Sequence, residues 1–290
     1  MADLPPVNQR SALTRQFGSA ALPDGAHAGL VFERYGRFWN ASGTEPLKPI
    51  GSTLDRFVQE YNRQAGDRQK LLALIHARQR AVPATCHVEA REVETSTRLA
   101  IGLGADHPLE NGLTFDRVAG VPYLPATSLK GLCRAASQVL AEERTDERLC
   151  YLGSEDSWDV HPDDPRQRGA VCFLDAYPVE PPRLEVDVLT PHYSRYYNAT
   201  ARNRKNERPV DWDSPNPVKF LTVAAKTPFL IRLLGDGRTV SERERALEWT
   251  WEHLLTGLEL LGLGAKTAVG YGLMAVKEPR RSAGPSQAAR

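Results

Sequence analysis

The sequence predicts an α+β fold, because stretches with the two-residue period of β-strands and stretches with the helical period follow one another along the chain. The strand period is clearest at 92–101, where Val93, Leu99 and other residues common in sheets alternate mainly with charged or polar ones. The helical period is clearest at 127–140 and 241–258, where apolar residues recur every three or four positions. With 290 residues, the chain can bury a large core as one domain or two small ones.

The first 82 residues predict an extension in front of this core. Residues 1 to about 50 are rich in Gly, Pro, Ala and Asn, which favours an irregular arm. A helical pattern then runs from Ser52 to Ile75 and pauses near Gly66. We therefore expect an arm plus a helical extension over 1–82.

The core itself is predicted over 83–277. After the strand at 92–101, a glycine-containing loop leads to a helix with Thr127 or Ser128 as its N-cap. Residues 170–176 and 183–189 predict two strands that form a hairpin across a proline-rich turn.

A long insertion, about 190–217, precedes the last elements of the core. Two strands follow it, and a capping box from Ser241 to Glu244 opens a second helix. The final strand is predicted near 269–276, and the polar tail 278–290 is predicted to be disordered. This order matches a decorated ferredoxin-like β-α-β-β-α-β unit, the arrangement shared by RNA-recognition (RRM-like) domains, although their aromatic RNP1 pattern is missing from the sequence.

Composition excludes several classes of function. The formal net charge of +1 gives no global argument for nucleic acid, so such a partner needs a local basic surface. The N-terminal residues lack the apolar run of a signal peptide, and no apolar stretch approaches a membrane span. Four scattered cysteines without a C-x-x-C pair indicate reduced thiols in the cytoplasm and do not favour structural zinc. No metal or cofactor is predicted.

Glycines surround a Lys266-Thr267 pair after the second helix, at Gly262, Gly264, Gly270 and Gly272. A nucleotide-hydrolase P-loop follows a strand and has Gly before its lysine, and neither condition holds in this stretch. The glycines would let backbone N–H groups approach a phosphate chain, with Lys266 adding charge and Thr267 a hydroxyl. The alternative is that they only permit tight packing between a helix and a strand.

The start of the first core helix is a second candidate anion site, because free N–H groups and the helix dipole favour negative charge. Its candidate residues are Thr127, Ser128, Lys130, Gly131 and Arg134. The alternative is that Lys130 and Arg134 are ordinary exposed residues of an amphipathic helix.

The insertion carries the strongest local pattern for nucleic acid, because basic residues would follow phosphates while aromatic rings stack on bases. Its candidate residues are Arg195, Tyr197, Arg202, Arg204 and Lys205. The alternative is a solvated loop whose tyrosines pack on the body of the protein.

Candidates for catalysis are few. A lone catalytic histidine needs a second group within hydrogen-bond reach, and His192 beside Tyr193 is the first candidate and His107 the second. Asp116 and Asp175 are isolated acids, and Asp175 ends a strand, where capping of backbone groups is the expected role.

Several stretches together resemble the RAMP superfamily, the repeat-associated RNA-binding proteins of CRISPR systems. The similarity runs from about Glu92 to Val276 and is carried by "HPLENGLTFDRVAGVPYLPATSLKGLCRAA", "YLGSED", "GAVCFLDAYP", "LEVDVLTPHYSRYY", "NPVKFLTV" and "GLGAKTAVGYGLM". Their order is most similar to a RAMP subunit of the type III-B effector, the Cmr complex. One departure is Ala126-Thr127, where the family usually has Gly-Ser.

The resemblance implies a non-catalytic subunit of an RNA-guided antiviral complex that caps the backbone filament and binds the 3′ part of the guide RNA. It also implies that the phosphates at the two anion sites are those of RNA and that the insertion is thumb-like, near the guide–target duplex. The implied partners are guide and target RNA, the neighbouring backbone RAMP, the small helical subunit and another RAMP. The alternative function is a metal-independent endoribonuclease that processes the guide precursor.

Overall fold

The computed structural model describes residues 22, 24–35, 50–81, 87–105, 107, 111–140, 145–154, 168–191, 196, 215, 217–237 and 239–277. The first 21 residues, most of the predicted insertion and the predicted tail lie outside the described residues.

Helices and antiparallel strands make up the described chain, which is therefore an α+β protein. The helices are α1 (Ile50–Arg63), α2 (Gly66–Arg80), α3 (Ala126–Leu140), α4 (Thr145–Leu152) and α5 (Val240–Leu260). A helical turn at Ala28–Leu30 continues as a π-turn at Val31–Tyr35. The strands are β1 (His87–Thr95), β2 (Val171–Phe173), β3 (Tyr177–Pro178), β4 (Leu184–Leu189), β5 (Val218–Val223), β6 (Pro228–Gly235) and β7 (Met274–Val276).

The main sheet has the antiparallel order β2–β6–β1–β7, and β3 also pairs with β6. Strands β1 and β6 pair from His87↔Gly235 to Glu94↔Pro228. Strands β4 and β5 form a separate two-stranded ribbon that ends at the pair Leu189↔Val218. The chain after β1 joins this ribbon to the main sheet through a bridge between Leu99 and Val223.

Helices lie on both faces of the main sheet. On one face α5 packs against β1, where the Arg91 guanidinium lies 4.8 Å from the centre of the Trp251 ring, and α3 packs beside α5. On the other face α2 reaches β6, where the Arg232 side chain donates to Gln79 at 2.6 Å, and β3, where His76 Nε2 lies 2.9 Å from the Pro178 carbonyl oxygen. Neighbouring residues of a strand point to opposite faces, so Ile231 lies in the core below α5 while Arg232 meets α2.

The helical extension shares the core of the sheet. Phe32, Phe57 and Tyr61 are buried in the same cluster as Phe115 of the long loop and Leu184 of β4. This burial gives α1 its tertiary support, since an isolated helix of its length is marginal in water. The predicted helical pattern from Ser52 to Ile75 is therefore two helices, α1 and α2, that pack on the core.

Two strand predictions were wrong in detail. The strand predicted at 92–101 begins five residues earlier, at His87, and ends at Thr95, after which the chain bends and touches the ribbon. The predicted hairpin between 170–176 and 183–189 does not form, because β2 pairs with β6 and β4 pairs with β5. Alternation of polar and apolar residues defines the two faces of a strand, and it leaves the neighbour undetermined.

Two predicted helix caps were also wrong. Helix α5 begins at Val240, so its capping box consists of Thr239 and Glu242 and not of residues 241 and 244. Helix α3 begins at Ala126, so Thr127 and Ser128 lie within its first turn.

Candidate functional site

The candidate site centres on the glycine loop, residues 261–273, which connects α5 to β7. Backbone hydrogen bonds hold the loop against the chain that follows β1. The Ala265 N–H donates to the Ala100 carbonyl at 2.7 Å, and the Gly272 N–H donates to the Arg98 carbonyl at 2.8 Å. The loop is therefore a packed part of the protein.

Two glycines of the loop have a packing requirement of their own. A Cβ atom at Gly264 would collide with the Ala100 carbonyl oxygen, and one at Gly272 would collide with the Leu263 carbonyl oxygen. Both residues also have a positive φ, which side chains rarely tolerate. Close backbone packing thus explains these two glycines without a ligand.

The other two predicted glycines differ in environment. Gly262 is buried at the start of the loop, where a Cβ would lie 2.9 Å from the Tyr271 carbonyl oxygen. Gly270 is exposed, and a Cβ there would have no heavy atom within 4 Å.

Lys266 combines a positive charge with an unusual backbone conformation. It is half-buried and has a left-handed backbone conformation, with a φ of 60°, which costs a non-glycine residue about 1–2 kcal/mol. Its ammonium group lies 5.5 Å from the centre of the Phe220 ring. Half-buried Thr267 follows it and begins a short 3-10 turn, Thr267–Val269.

Backbone donors are open next to Lys266. Within the described part of the chain, no hydrogen bond uses the N–H groups of Lys266, Thr267 or Ala268. Successive N–H groups where a left-handed residue meets a right-handed turn form a concave anion-binding arrangement. The loop can therefore offer neighbouring N–H donors and one ammonium group to a phosphate.

A network of charged side chains, which the sequence patterns did not predict, lies beside the loop. The Asp187 carboxylate accepts hydrogen bonds at 2.7 Å from both the Tyr271 hydroxyl and Arg98, which also donates to Glu185 at 2.7 Å. Partial burial acts to raise the pKa of Asp187, but hydrogen bonds from Tyr271, the Val188 N–H and Arg98 hold that pKa below its ordinary value. Glu185 and Asp187 are two residues apart and therefore lie on one face of β4, and this spacing is the sequence pattern that could have indicated the network. With two carboxylates for one guanidinium, this network does not attract phosphate.

The start of α3 already has an acidic partner. The Asp175 carboxylate accepts a hydrogen bond from the Ala126 N–H at 2.7 Å, which confirms the predicted backbone-capping role of Asp175. Thr127 and Gly131 are exposed, whereas Ser128 and Lys130 are half-buried. A carboxylate at this helix end occupies part of the positive potential that a phosphate would use.

Arg134 has a role within the protein. Its guanidinium donates to the Leu152 and Gly153 carbonyls at 3.2 and 3.1 Å, at the end of α4. These bonds satisfy carbonyl groups that a helix end leaves without partners. These bonds hold Arg134 to the end of α4, and its predicted contact with an RNA phosphate stays a prediction.

Of the two histidines predicted as catalytic candidates, only His107 lies within the described residues. His107 stacks on the Phe32 ring with 4.1 Å between ring centres, and its Nε2 lies 2.9 Å from the Phe32 carbonyl oxygen. Burial lowers the pKa of His107, as for a histidine packed in a core. Asp116 likewise accepts hydrogen bonds from the Val118 and Ala119 N–H groups. The first candidate, His192, lies outside the described residues.

The predicted RNA-binding residues of the insertion, Arg195, Tyr197, Arg202, Arg204 and Lys205, also lie outside the described residues. Within the described ranges, no group of three or more His, Cys, Asp or Glu side chains is arranged to hold a metal ion. In the same part of the chain, no helix has the length and apolar character needed to cross a bilayer.

Fold and site together define an α+β protein with a packed glycine loop at a helix–strand junction. The family model of the RAMP superfamily matches residues 92–275, which include most of the main sheet, the ribbon and this loop. The chain belongs to the RAMP superfamily.

Two curated relatives are CRISPR system Cmr subunits named Cmr6. The relative from Pyrococcus furiosus is 28% identical, with 64% of this chain and 67% of the relative aligned. The relative from Saccharolobus solfataricus is also 28% identical, with 63% of this chain and 55% of the relative aligned. A cryo-EM structure of the type III-B Cmr-beta complex bound to cognate target RNA contains a chain of similar fold, with a TM-score of 0.57 and 24% identity over 79% of this chain and 74% of that one.

Proposed function

We propose that this protein is a non-catalytic, RNA-binding subunit of a type III-B CRISPR RNA-guided effector complex, acting in the cytoplasm against invading RNA. It caps the backbone filament and binds the 3′ part of the guide RNA. Its protein partners are the neighbouring backbone RAMP, the small helical subunit and another RAMP. Membership of the RAMP superfamily and similarity to two subunits named Cmr6 support this assignment.

The finer description of the fold is part of the proposal. We assign β1-α3-β2 and β6-α5-β7 as the two halves of a ferredoxin-like unit, and the sheet order β2–β6–β1–β7 agrees with that assignment. The thumb-like element is the 190–217 insertion, which leaves the end of the ribbon beyond the pair Leu189↔Val218. Its basic and aromatic residues then lie near the guide–target duplex.

The observation that carries RNA binding is the geometry at Lys266. A lysine in a left-handed conformation beside open N–H groups combines a charge with backbone donors, the arrangement that phosphate chains require. Lys130 at the start of α3 is the second proposed phosphate ligand, through its side-chain charge and not through the helix end, where Asp175 already accepts from the Ala126 N–H.

A salt titration tests this assignment. Phosphate contacts release counterions, so log K falls with log salt by about 0.7 for each phosphate neutralised on a single strand. Lys266→Gly removes the charge and keeps the left-handed backbone without strain, so we expect the slope to flatten by about that amount. The measurement is RNA affinity against salt concentration for the full chain.

Lys226→Gly is the matched control. Lys226 also has a left-handed backbone, with a φ of 63°, but it lies in the β5–β6 turn and pairs with Glu94. This variant should keep the wild-type slope. Equal slopes in wild type and Lys266→Gly would show that the loop only joins α5 to β7.

The same samples test the absence of catalysis. We expect single-stranded RNA to be recovered intact after incubation with or without divalent metal. Site-specific cleavage that disappears in His192→Ala would instead establish the endoribonuclease.

A further inference from the structure

The face of the main sheet opposite α3 and α5 is only partly covered by α2, which lies over β3 and the middle of β6. Beyond α2, Cys172, Leu234 and Val88 form a row across β2, β6 and β1, because Leu234 pairs with both of the others. Cys172 and Val88 are exposed, and Leu234 is half-buried. This apolar row can therefore contact another molecule.

Arg232 lies in the next row of the same face, directly opposite Ala90 of β1. Residues opposite each other in an antiparallel pair point to the same side, with Cβ atoms about 4.5–5.5 Å apart. Ala90 is exposed and has no side-chain atom beyond Cβ. The space above Ala90 therefore lies beside the Arg232 side chain and is open to solvent.

Arg232 carries a charge that no acid balances within the described chain. It is only 3% exposed, and its Nη1 donates to Gln79 at 2.6 Å and faces His76 at 3.3 Å, neither of which is negative. Its Nε and Nη2 have no hydrogen-bond partner among the described residues, and neither is fully enclosed. Burial lowers the pKa of Arg232, and the charge of Arg80 lowers it further. Such a charge costs free energy unless an anion accompanies it.

The acids of this face already have partners. Glu92 pairs with Lys277 at 2.6 Å, and Glu94 pairs with Lys226 at 3.4 Å. Arg80, exposed in the last turn of α2, adds a second positive charge near Arg232. Two arginines beside an apolar row are complementary to a carboxylate that is flanked by apolar side chains.

The side chains of this face favour a protein over RNA. Sheets that bind RNA stack its bases on aromatic rings, but the residues that the described parts of β1, β2 and β6 place on this face include no aromatic ring. Arginine is enriched in protein interfaces. The hydrogen bond to Gln79 holds the guanidinium of Arg232 in position before a partner binds.

We propose that this face binds a neighbouring protein subunit through a segment that presents an aspartate or glutamate to Arg232 and Arg80. The same segment places apolar side chains on the row of Cys172, Leu234 and Val88. The inference rests on the proposed function in one respect, namely that the partner is one of the three protein subunits named there. It uses none of the residues assigned to RNA above.

Ala90→Glu and Ala90→Gln form a matched pair of variants, since Ala90 is exposed and either side chain fits. Glu places a carboxylate beside Arg232 within the chain itself, and Gln has nearly the same shape without the charge. Because Arg232 has no acid partner, the Tm of Ala90→Glu should exceed that of Ala90→Gln by about 2 °C or more. Equal Tm values in thermal unfolding of the full chain would show that the charge is already balanced and would overturn the proposal.

Binding to the partner should change in the opposite direction. Each of the three protein subunits is titrated into the wild type and both variants, and calorimetry gives the Kd. For the subunit that binds the wild type, the Kd of Ala90→Glu should be about tenfold or more above that of Ala90→Gln, because the new carboxylate repels the partner's acid. Equal values would overturn the inference and leave the proposed function standing. A wild type that binds none of the three subunits would overturn both.

RNA is the other occupant that the same variants distinguish. At a fixed salt concentration, Ala90→Glu and Ala90→Gln should bind single-stranded RNA equally well. A tenfold loss of RNA affinity in Ala90→Glu, with unchanged binding of the protein subunit, would assign the face to RNA and overturn the proposal.

Discussion

At the scale of single residues, two buried tyrosines differ in one hydrogen bond. The Tyr177 hydroxyl donates to the Asp116 carboxylate at 3.0 Å, whereas the buried Tyr61 hydroxyl has no partner among the residues that the structure describes. Burial raises the pKa of both tyrosines, and the Asp116 charge adds to the shift at Tyr177. Of these two hydroxyl groups, therefore, only that of Tyr177 has a hydrogen-bond partner among the described residues.

Removing each hydroxyl should have opposite effects on stability. Tyr61→Phe should leave the free energy of unfolding unchanged or raise it by up to about 1 kcal/mol, because no hydrogen bond is lost. Tyr177→Phe should lower it by about 1–3 kcal/mol, because the Asp116 carboxylate loses a donor. Urea unfolding of the two variants measures the difference. A larger loss in Tyr61→Phe than in Tyr177→Phe would contradict this reasoning.

At the scale of elements, α1 holds the ribbon in place through one amide. Asn62 donates to the Leu184 carbonyl and accepts from the Leu184 N–H, both at 2.9 Å, as a neighbouring strand would. Lys219 of β5 also pairs with Asp55 of α1 at 3.0 Å, but both side chains are more than a third exposed. The amide contact is the stronger of the two because it is less screened by solvent.

Asn62→Ala should therefore destabilise the protein more than Lys219→Ala. The first variant leaves two backbone groups of β4 without partners, and we expect the free energy of unfolding to fall by about 2–4 kcal/mol. The second should cost less than about 1 kcal/mol, as is usual for exposed ion pairs. Chemical denaturation of both variants provides the comparison, and equal losses would show that Asn62 contributes no more than a surface contact.

The elements also show what the sequence could predict. Alternation and helical periodicity located the strands near 184–189 and 228–235 and the helices α3 and α5 to within a few residues. The pairing of β4 with β5 could not be predicted, because nearly 30 residues separate them and a strand pattern names no partner. A capping role was predicted for Asp175, but the helix that it caps could not be, since the Ala126 N–H is 49 residues away in the chain. Glycine spacing located the loop, but the collisions at Gly264 and Gly272 depend on the fold.

At the scale of the whole molecule, buried histidines should make stability depend on pH. His76 bridges α2 and the sheet, since its Nε2 contacts the Pro178 carbonyl at 2.9 Å and its Nδ1 faces Arg232 at 3.3 Å. Burial lowers its pKa, the hydrogen bond to Pro178 opposes that shift, and the charges of Arg232 and Arg80 add to it. Burial lowers the pKa of His107 as well.

The sign of the dependence follows from these lowered pKa values. Above pH about 6.5 both histidines are neutral in the folded and unfolded states, so stability does not depend on their protonation there. Below that pH the unfolded chain takes up protons first, and stability falls by up to about 1.4 kcal/mol per pH unit for each group. Urea unfolding at pH 7.5, 6.5 and 5.5 should show this decline, and His76→Gln should reduce it. An identical decline in the variant would exclude His76 as a cause.

The bridge after β1 has a mechanical consequence for the molecule. Leu99 and Val223 exchange two backbone hydrogen bonds, of 3.0 and 2.8 Å, and the next carbonyl, of Ala100, accepts from the Ala265 N–H in the glycine loop. The ribbon and the loop are thus anchored on adjacent residues of one strand segment. A force applied to the far end of the ribbon would rotate the ribbon about the Leu99–Val223 bridge. Such a rotation would either move the glycine loop together with the ribbon or break the backbone hydrogen bonds at Leu99 and Ala100.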